Sequence, residues 1–231
     1  MPRKNVQLIE KIPLLAYSID VARRSSIIDE VIVSTDDSEI AKIAKEYGAT
    51  VAIRSLDSAT DFARDHLLIL ELESMQGLVT DNDVIVFLRP THPVRNPNVI
   101  DKAIELFLKN FSRIDSVRSM KKSSEIPFKT WLIDSNGYAI NVVNPRVTEV
   151  IDPPNAPRQT LPQTYYQDGY VEIIEFKKVK AFNNTSGEKI LPLIIEDFSH
   201  DIDTFEDINT ITNYLKNEKV PEWFSFPKKL Q

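Results

Sequence analysis

Residues Val84-Ile85-Val86-Phe87-Leu88 form an apolar run without alternation, and Arg89-Pro90-Thr91-His92-Pro93-Val94-Arg95 follows at once. Such a run predicts a strand buried on both faces, as in the middle of a parallel sheet. Pro90 and Pro93 have no N–H to donate, so the ladder stops and the chain must leave the sheet there. Asn96-Pro97 then reads as an N-cap and first-turn proline of a helix. A strand, a polar loop and a helix in that order mark the edge at which open α/β sheets bind ligands. The two arginines at this edge point to an anionic one.

The rest of the first half repeats the strand–helix rhythm. The pattern predicts helices over Pro13–Arg24, Ser38–Tyr47, Asp61–Gln76 and 97–110, and strands over Glu30–Ser34, Thr50–Ile53 and Ser116–Ser119. Residues 1–12 read as a basic loop. This βα alternation argues for an α/β fold with a mostly parallel sheet flanked by helices. After Met120 the rhythm changes. Lys129–Ile133 and Tyr138–Val143 flank Asp134-Ser135-Asn136-Gly137, a turn sequence, and predict a hairpin. Residues 144–164, rich in Pro and Asn, read as an ordered functional loop. Strands over Tyr170–Ile174 and Leu191–Ile195 and a helix over Phe205–Lys216 complete the pattern. No strand precedes the first helix, although sheets of this kind begin with one.

Composition removes several classes of function. The 231 residues include no cysteine, which leaves no disulfide framework and no thiolate chemistry and suits a reducing compartment. A net charge of −6 argues against nucleic acid as a partner. No apolar run approaches the roughly 20 residues of a membrane span, and no apolar leader is visible, so the expected location is the cytoplasm. The five glycines form no Gly-x-Gly cluster, and no nucleophile-elbow motif is present.

Two groups of residues can carry chemistry. In an extended Asp201-Ile202-Asp203, residues i and i+2 share one side, and two carboxylates there suit Mg²⁺. The competing reading is a helix cap, because Thr204-x-x-Asp207 resembles a capping box; the two readings can coexist. The second group is basic: Arg3, Lys4, Arg54, Arg89, Arg95, Lys129 and Arg158 fall in loops at strand ends. Converging cations suit a triphosphate and a departing pyrophosphate. Taken singly, Arg3 and Arg95 read as solvated charges. His66, His92 and His200 have no metal-ligand spacing and read as structural, with His92 the best placed to line a pocket.

Read together, these stretches resemble the acylneuraminate cytidylyltransferase family. The carriers are Pro2-Arg3-Lys4-Asn5 with Pro13-Leu14-Leu15, Val31–Asp36 with Ile40-Ala41 and Tyr47-Gly48-Ala49, Leu88–Arg95, Arg158-Gln159-x-Leu161-Pro162, Asp168-Gly169 and Asp201-Ile202-Asp203-Thr204. The resemblance covers the whole chain in order. It implies a nucleotide-diphospho-sugar transferase fold with a small hairpin-and-loop region near 121–165 that helps form a homodimer. It implies CTP and a nonulosonic sugar acid as substrates, a CMP-sugar and pyrophosphate as products, and Mg²⁺ as cofactor.

By position, the resemblance assigns Lys4 to phosphate, Asn5 and Arg54 to the nucleotide, and Asp201 and Asp203 to the metal. Arg89, Lys129, Arg158, Gln159 and Asp168 fall to the sugar acid, with Arg89 expected on its carboxylate. Four positions depart from the family pattern: Arg89 stands where Gln is usual, Asp168 where Asn is, Glu172 where Tyr is, and Asp65 where Ser is common. The family's first strand and Ala-Arg-x-Gly-Ser-Lys-Gly loop have no counterpart in these residues. The expectation is therefore a chain less stable and much less active than one extended upstream.

Overall fold

A computed structural model describes all residues except 2, 56–63, 75–76, 144–148, 218–219 and 231. The chain divides into two compact units, Met1–Ser119 with Asp168–Gln231, and Met120–Gln167. No helix among the described residues is long and apolar enough to cross a membrane.

The larger unit opens with a hairpin inside the expected loop: β1 (Leu8–Ile9) and β2 (Ile12–Pro13) pair antiparallel. Its two-residue turn, Glu10-Lys11, holds φ at 47° and 66°. This is the geometry that usually selects Asn-Gly, so Glu-Lys carries no local signal for it. Helix α1 (Leu14–Arg23) follows with Pro13 as its N-cap residue, and it buries Leu14, Leu15, Tyr17, Ile19 and Ala22. Next come β3 (Ile32–Thr35), α2 (Ser38–Glu46) and β4 (Thr50–Ile53), with β3 and β4 parallel and in register from Ile32↔Thr50 to Thr35↔Ile53. Asp37 caps α2 through the N–H groups of Glu39 and Ile40.

Helix α3 (Asp65–Ser74) leads to β5 (Val84–Phe87), α4 (Pro97–Asn110), β6 (Ser116–Lys122) and, after the smaller unit, β9 (Tyr165–Glu175), α5 (Phe176–Phe182), β10 (Ile190–Ile194) and α6 (Phe205–Asn217). The expected start of α3 at Asp61 and its end at Gln76 lie outside the described residues. A four-stranded sheet runs in the order β10-β6-β9-β5. Here the structure corrects the expectation for residues 84–88. Strand β5 pairs antiparallel with β9, from Val84↔Glu175 to Phe87↔Glu172, and is the edge strand of this sheet among the described residues. All four of its residues are only half-buried. The fold is the expected α/β type, a mixed sheet flanked by helices, with β3–β4 parallel and β5–β9 antiparallel. Helix α5 was not expected. It has only about two turns, and its apolar signal, Phe176 and Val179, is an i, i+3 pair against Ala52, Ile69 and Leu72.

The main core packs α4 on β6 and β9 through Ile100, Ile104, Phe107, Val117, Tyr170 and Ile173. A separate cluster joins α1 and α6 through Leu14, Tyr17, Ile202, Ile211 and Leu215. The C-terminal segment then returns to α2, where the Leu230 N–H donates to the Glu46 carbonyl.

In the smaller unit, β7 (Trp131–Ile133) and β8 (Ala139–Asn141) form the expected hairpin around Asp134–Gly137. Asp134 closes it by accepting from the N–H groups of Asn136 and Tyr138. Phe128, Ala156 and Leu161 make its own small core.

Candidate functional site

The loop after β5 is built on Arg95. Its expected reading as a solvated charge does not hold, because the residue is 2% exposed. The guanidinium donates to the carbonyls of Tyr170 (2.7 Å), His92 (2.6 Å), Arg89 (2.7 Å) and Gly169 (3.3 Å) and to Ser18 Oγ (2.8 Å). Burial pushes its pKa down to about 10, so it remains a cation at neutral pH. A fixed fork of donors satisfies backbone groups that Pro90 and Pro93 leave without ladder partners. The arginine thereby sets the shape of the edge at which Arg89 and His92 stand.

The Asp201–Asp203 segment is fastened to this same loop. The Ile202 N–H donates to the Thr91 carbonyl at 3.0 Å, and the Ile202 side chain is fully buried. Its two neighbours stay open, with side-chain exposures of 45% for Asp201 and 72% for Asp203. The alternation expected of an extended segment is therefore present. The expected capping box is present too: the Asp207 N–H donates to Thr204 Oγ1 (3.3 Å), and the Asp207 carboxylate accepts from the N–H groups of Asp203 (3.0 Å) and Thr204 (2.7 Å) and from Thr204 Oγ1 (2.8 Å). Burial pushes the Asp207 pKa up, but the hydrogen bonds from Thr204, Asp203 and His200 override it and hold the group well below the usual carboxylate range.

Lys4 closes the distance from the other end of the chain. Its Nζ lies 2.9 Å from Asp203 Oδ1. Lys4 and Asn5 sit in a 3-10 turn and line a cavity of about 570 Å³ with Met1, Arg3, Val6, Asp37 and Ile40. Arg3 is ion-paired with Glu39. Arg54, at the end of β4, lies 3.7 Å from Asp36 Oδ1. His92 Nδ1 stands 3.7 Å from Asp201 Oδ1, and its Nε2–H donates to the Asp168 carbonyl.

Asp168, expected on the substrate, is turned inward. It is 7% exposed, and its carboxylate accepts from the Tyr170 N–H (3.2 Å) and Ser199 Oγ (3.0 Å). Arg89 has protein partners of its own: Asp65 Oδ2 at 2.6 Å and Glu172 Oε1 at 3.3 Å. Burial pulls the Arg89 pKa down, and Glu172 and Asp65 more than offset this, so the net shift is upward. Glu172 also holds Arg118 at 2.7 Å. Arg118 did not stand out as a site residue in the sequence, since an arginine inside a strand carries no period; Arg95 stood in the basic group, but as a solvated charge and not as the buried frame of the loop.

Lys129, Arg158 and Gln159 belong to the smaller unit. There Lys129 Nζ donates to the Ala156 carbonyl at 2.8 Å, Arg158 donates to the Ser124 carbonyl, and Gln159 is exposed.

Among the described residues, no group of three or more His, Asp or Glu side chains is placed to hold a metal ion. The open pair Asp201 and Asp203 still fits Mg²⁺, which takes few protein carboxylates and completes its shell with water and phosphate.

Comparison with known proteins gives a consistent picture. A family model described as cytidylyltransferase matches residues 1–156. The CMP-N,N'-diacetyllegionaminic acid synthase of Legionella pneumophila is 32% identical over 230 residues, which cover 96% of this chain and 90% of that protein. The N-acylneuraminate cytidylyltransferase of Streptococcus agalactiae serotype V is 26% identical over 220 residues, 93% of this chain and 50% of that protein. A solved CMP:2-keto-3-deoxy-manno-octonic acid synthetase complexed with CTP shares the fold, with a TM-score of 0.65 at 10% identity over 93% of this chain and 92% of that one.

Proposed function

The chain belongs to the cytidylyltransferase family, and from that premise we infer that it joins CTP to a nonulosonic acid, giving a CMP-sugar and pyrophosphate. The observation that carries this reading is the fastening of Asp201-Ile202-Asp203 to the Thr91 carbonyl, which leaves two carboxylates open and sets Asp203 against Lys4, a residue of the cavity wall.

In the reaction, the anomeric hydroxyl oxygen of the sugar acid bonds to the α-phosphorus of CTP. The bond from that phosphorus to the bridging oxygen breaks, pyrophosphate leaves, and the hydroxyl proton passes to solvent. Such a transfer needs positioning and charge neutralisation more than covalent help from the protein. Lys4 and Asn5 line the cavity assigned to the nucleotide, and Lys4 supplies a mobile cation for its phosphates. Arg54 serves the same side. Asp201 and Asp203 hold Mg²⁺, which when bound supplies positive charge to the phosphate oxygens. Thr91 and Ile202 keep those two carboxylates in place, and His92 spaces Asp201 from the Asp168 backbone. Arg89 stands on the sugar side, and Asp168 shapes the turn at Gly169 beneath it. Lys129, Arg158 and Gln159 are assigned to the sugar acid on their resemblance alone.

We place the reaction in the cytoplasm, consistent with a cysteine-free chain, and in a homodimer built through the exposed hairpin. The test is pyrophosphate release from CTP and Mg²⁺ with a panel of nonulosonic acids. Turnover with at least one of them is expected, together with at least a tenfold weaker Mg²⁺ dependence in Asp203→Asn at unchanged circular dichroism. No turnover and no CTP binding by the native protein overturns the reading, and full activity in both Asp201→Asn and Asp203→Asn removes the metal role.

A further inference from the structure

The proposed function gives Lys4 and Asp203 separate partners, phosphate for the ammonium and Mg²⁺ for the carboxylate. In the free chain they hold each other, with Lys4 Nζ donating to Asp203 Oδ1 at 2.9 Å. The two sides of this pair differ in how far they can move. Asp203 has a short side chain on a pinned backbone: its own N–H donates to Asp207 Oδ2 at 3.0 Å, and the Ile202 N–H before it donates to the Thr91 carbonyl at 3.0 Å. Lys4 is held at its backbone by the 3-10 turn Lys4–Val6, whose Lys4 carbonyl accepts from the Gln7 N–H. Its four-carbon stem leaves the ammonium free to swing. Lys4 also lines the cavity of about 570 Å³ assigned to the nucleotide, so Asp203 stands at one end of that swing and the cavity at the other. Asp201 has no such partner. The group beside it is His92, a buried ring tied by its Nε2–H to the Asp168 carbonyl. Only one of the two carboxylates is therefore covered by a mobile cation among the described residues.

Charge decides what the pair does. A carboxylate that already holds an ammonium cannot take a divalent cation without bringing two positive charges together, and like charges at that range repel. The pair is also easily exchanged. The Asp203 side chain is 72% exposed, and an ion pair so open to water contributes little by itself. A triphosphate carries several negative charges and is the stronger partner for the ammonium. When Lys4 turns to phosphate, Asp203 is left open beside Asp201, and neither the ammonium nor the carboxylate has to move its backbone. Binding energy from the nucleotide is thus coupled to the exposure of a carboxylate that suits a metal ion.

We propose that Lys4 is an internal counter-ion: it covers Asp203 in the free protein, keeps a divalent cation off that carboxylate, and uncovers it by moving to the triphosphate. This rests on the cytidylyltransferase reading above and adds to it a coupling between nucleotide and metal that belongs to one side chain. The first test titrates Mn²⁺, which suits the same carboxylate and water ligands as Mg²⁺, into the nucleotide-free protein and follows the free ion by electron paramagnetic resonance. Lys4→Met is expected to bind Mn²⁺ about fivefold or more tightly than the native protein, and Lys4→Arg, which keeps the charge, close to the native value. Arg3→Met removes a cation from the same cavity wall, but one paired with Glu39, and should stay within about twofold of native. The second test is a double-mutant cycle on CTP binding in EDTA, read by calorimetry. Asp203→Asn frees Lys4 and should tighten CTP about threefold or more, and most of that gain should vanish in the Lys4→Met background. Equal Mn²⁺ affinity in the native protein and Lys4→Met refutes the counter-ion, and so does an equal gain from Asp203→Asn in both backgrounds. An Arg3→Met variant that matches Lys4→Met reduces the effect to general charge and refutes it as well. In each of these cases CTP binding and turnover leave the cytidylyltransferase reading standing. A native protein that neither binds CTP nor releases pyrophosphate with any nonulosonic acid overturns that reading, and the counter-ion with it.

Discussion

Arg95 has five hydrogen-bond partners and almost no contact with water. Its removal strands several buried acceptors, each costing about 1–3 kcal/mol. Arg95→Met is therefore expected to lower stability by about 3–5 kcal/mol, read as the shift of a denaturant midpoint. Arg95→Lys should fail nearly as badly, because one ammonium cannot span acceptors arranged for a planar fork. Asp207 gives a different kind of prediction. Its carboxyl binds a proton less readily in the folded chain than in the unfolded one. The stability this contributes is complete above the ordinary aspartate pKa, about 3.9, and fades as pH falls towards the folded value. Asp207→Asn should thus be less stable at neutral pH and show a flatter loss of stability below about pH 4. An unchanged acid limb in urea titrations would remove Asp207 as the fastener of Asp203.

At the scale of elements, the turn between β1 and β2 is the weakest local match of sequence to shape. Lys11 holds a positive φ without being glycine, which costs about 1–2 kcal/mol for an ordinary residue. Lys11→Gly should raise stability by up to about 1 kcal/mol, part of the gain being lost to a freer unfolded chain. Asn-Gly at a hairpin tip is what a reader of sequence looks for, so this hairpin was invisible. The Asp134–Gly137 hairpin carried its own turn chemistry and was plain. The helices were legible wherever an apolar stripe met a capping residue, as at Asp37 and Asn96. Strand β5 was found as a strand but misplaced in the sheet, because an unbroken apolar run reports burial potential and not which neighbour the strand has. The same limit applies to the site. Asp201 and Asp203 were visible through a short spacing, whereas the pairing of Glu172 with Arg89 and Arg118 depends on strand register, which no local pattern records.

For the whole molecule, the hairpin of the smaller unit exposes apolar side chains: Leu132 and its cross-strand partner Ile140 share one face, Ile133 lies on the other, and these three and Tyr138 are all more than half exposed. A patch of that kind suits association rather than water. For the homodimer proposed above, sedimentation equilibrium should give twice the chain mass for the native protein and the chain mass for Leu132→Asp combined with Ile140→Asp; a monomeric native protein refutes the dimer, and an unchanged dimeric mass in the variant excludes the hairpin as its contact. The larger unit has its own peculiarity, the ion pair between Lys4 and Asp203, which are 199 positions apart. Translation runs at roughly 5–20 residues per second, so about 10–40 s separate the appearance of the two partners at the ribosome. Throughout that interval Lys4 has no Asp203 to pair with, and Thr91, once made, waits for the Ile202 N–H. The hairpin β1–β2 and the parallel pair β3–β4 can form early in synthesis, whereas the Lys4–Asp203 contact must wait for residue 203.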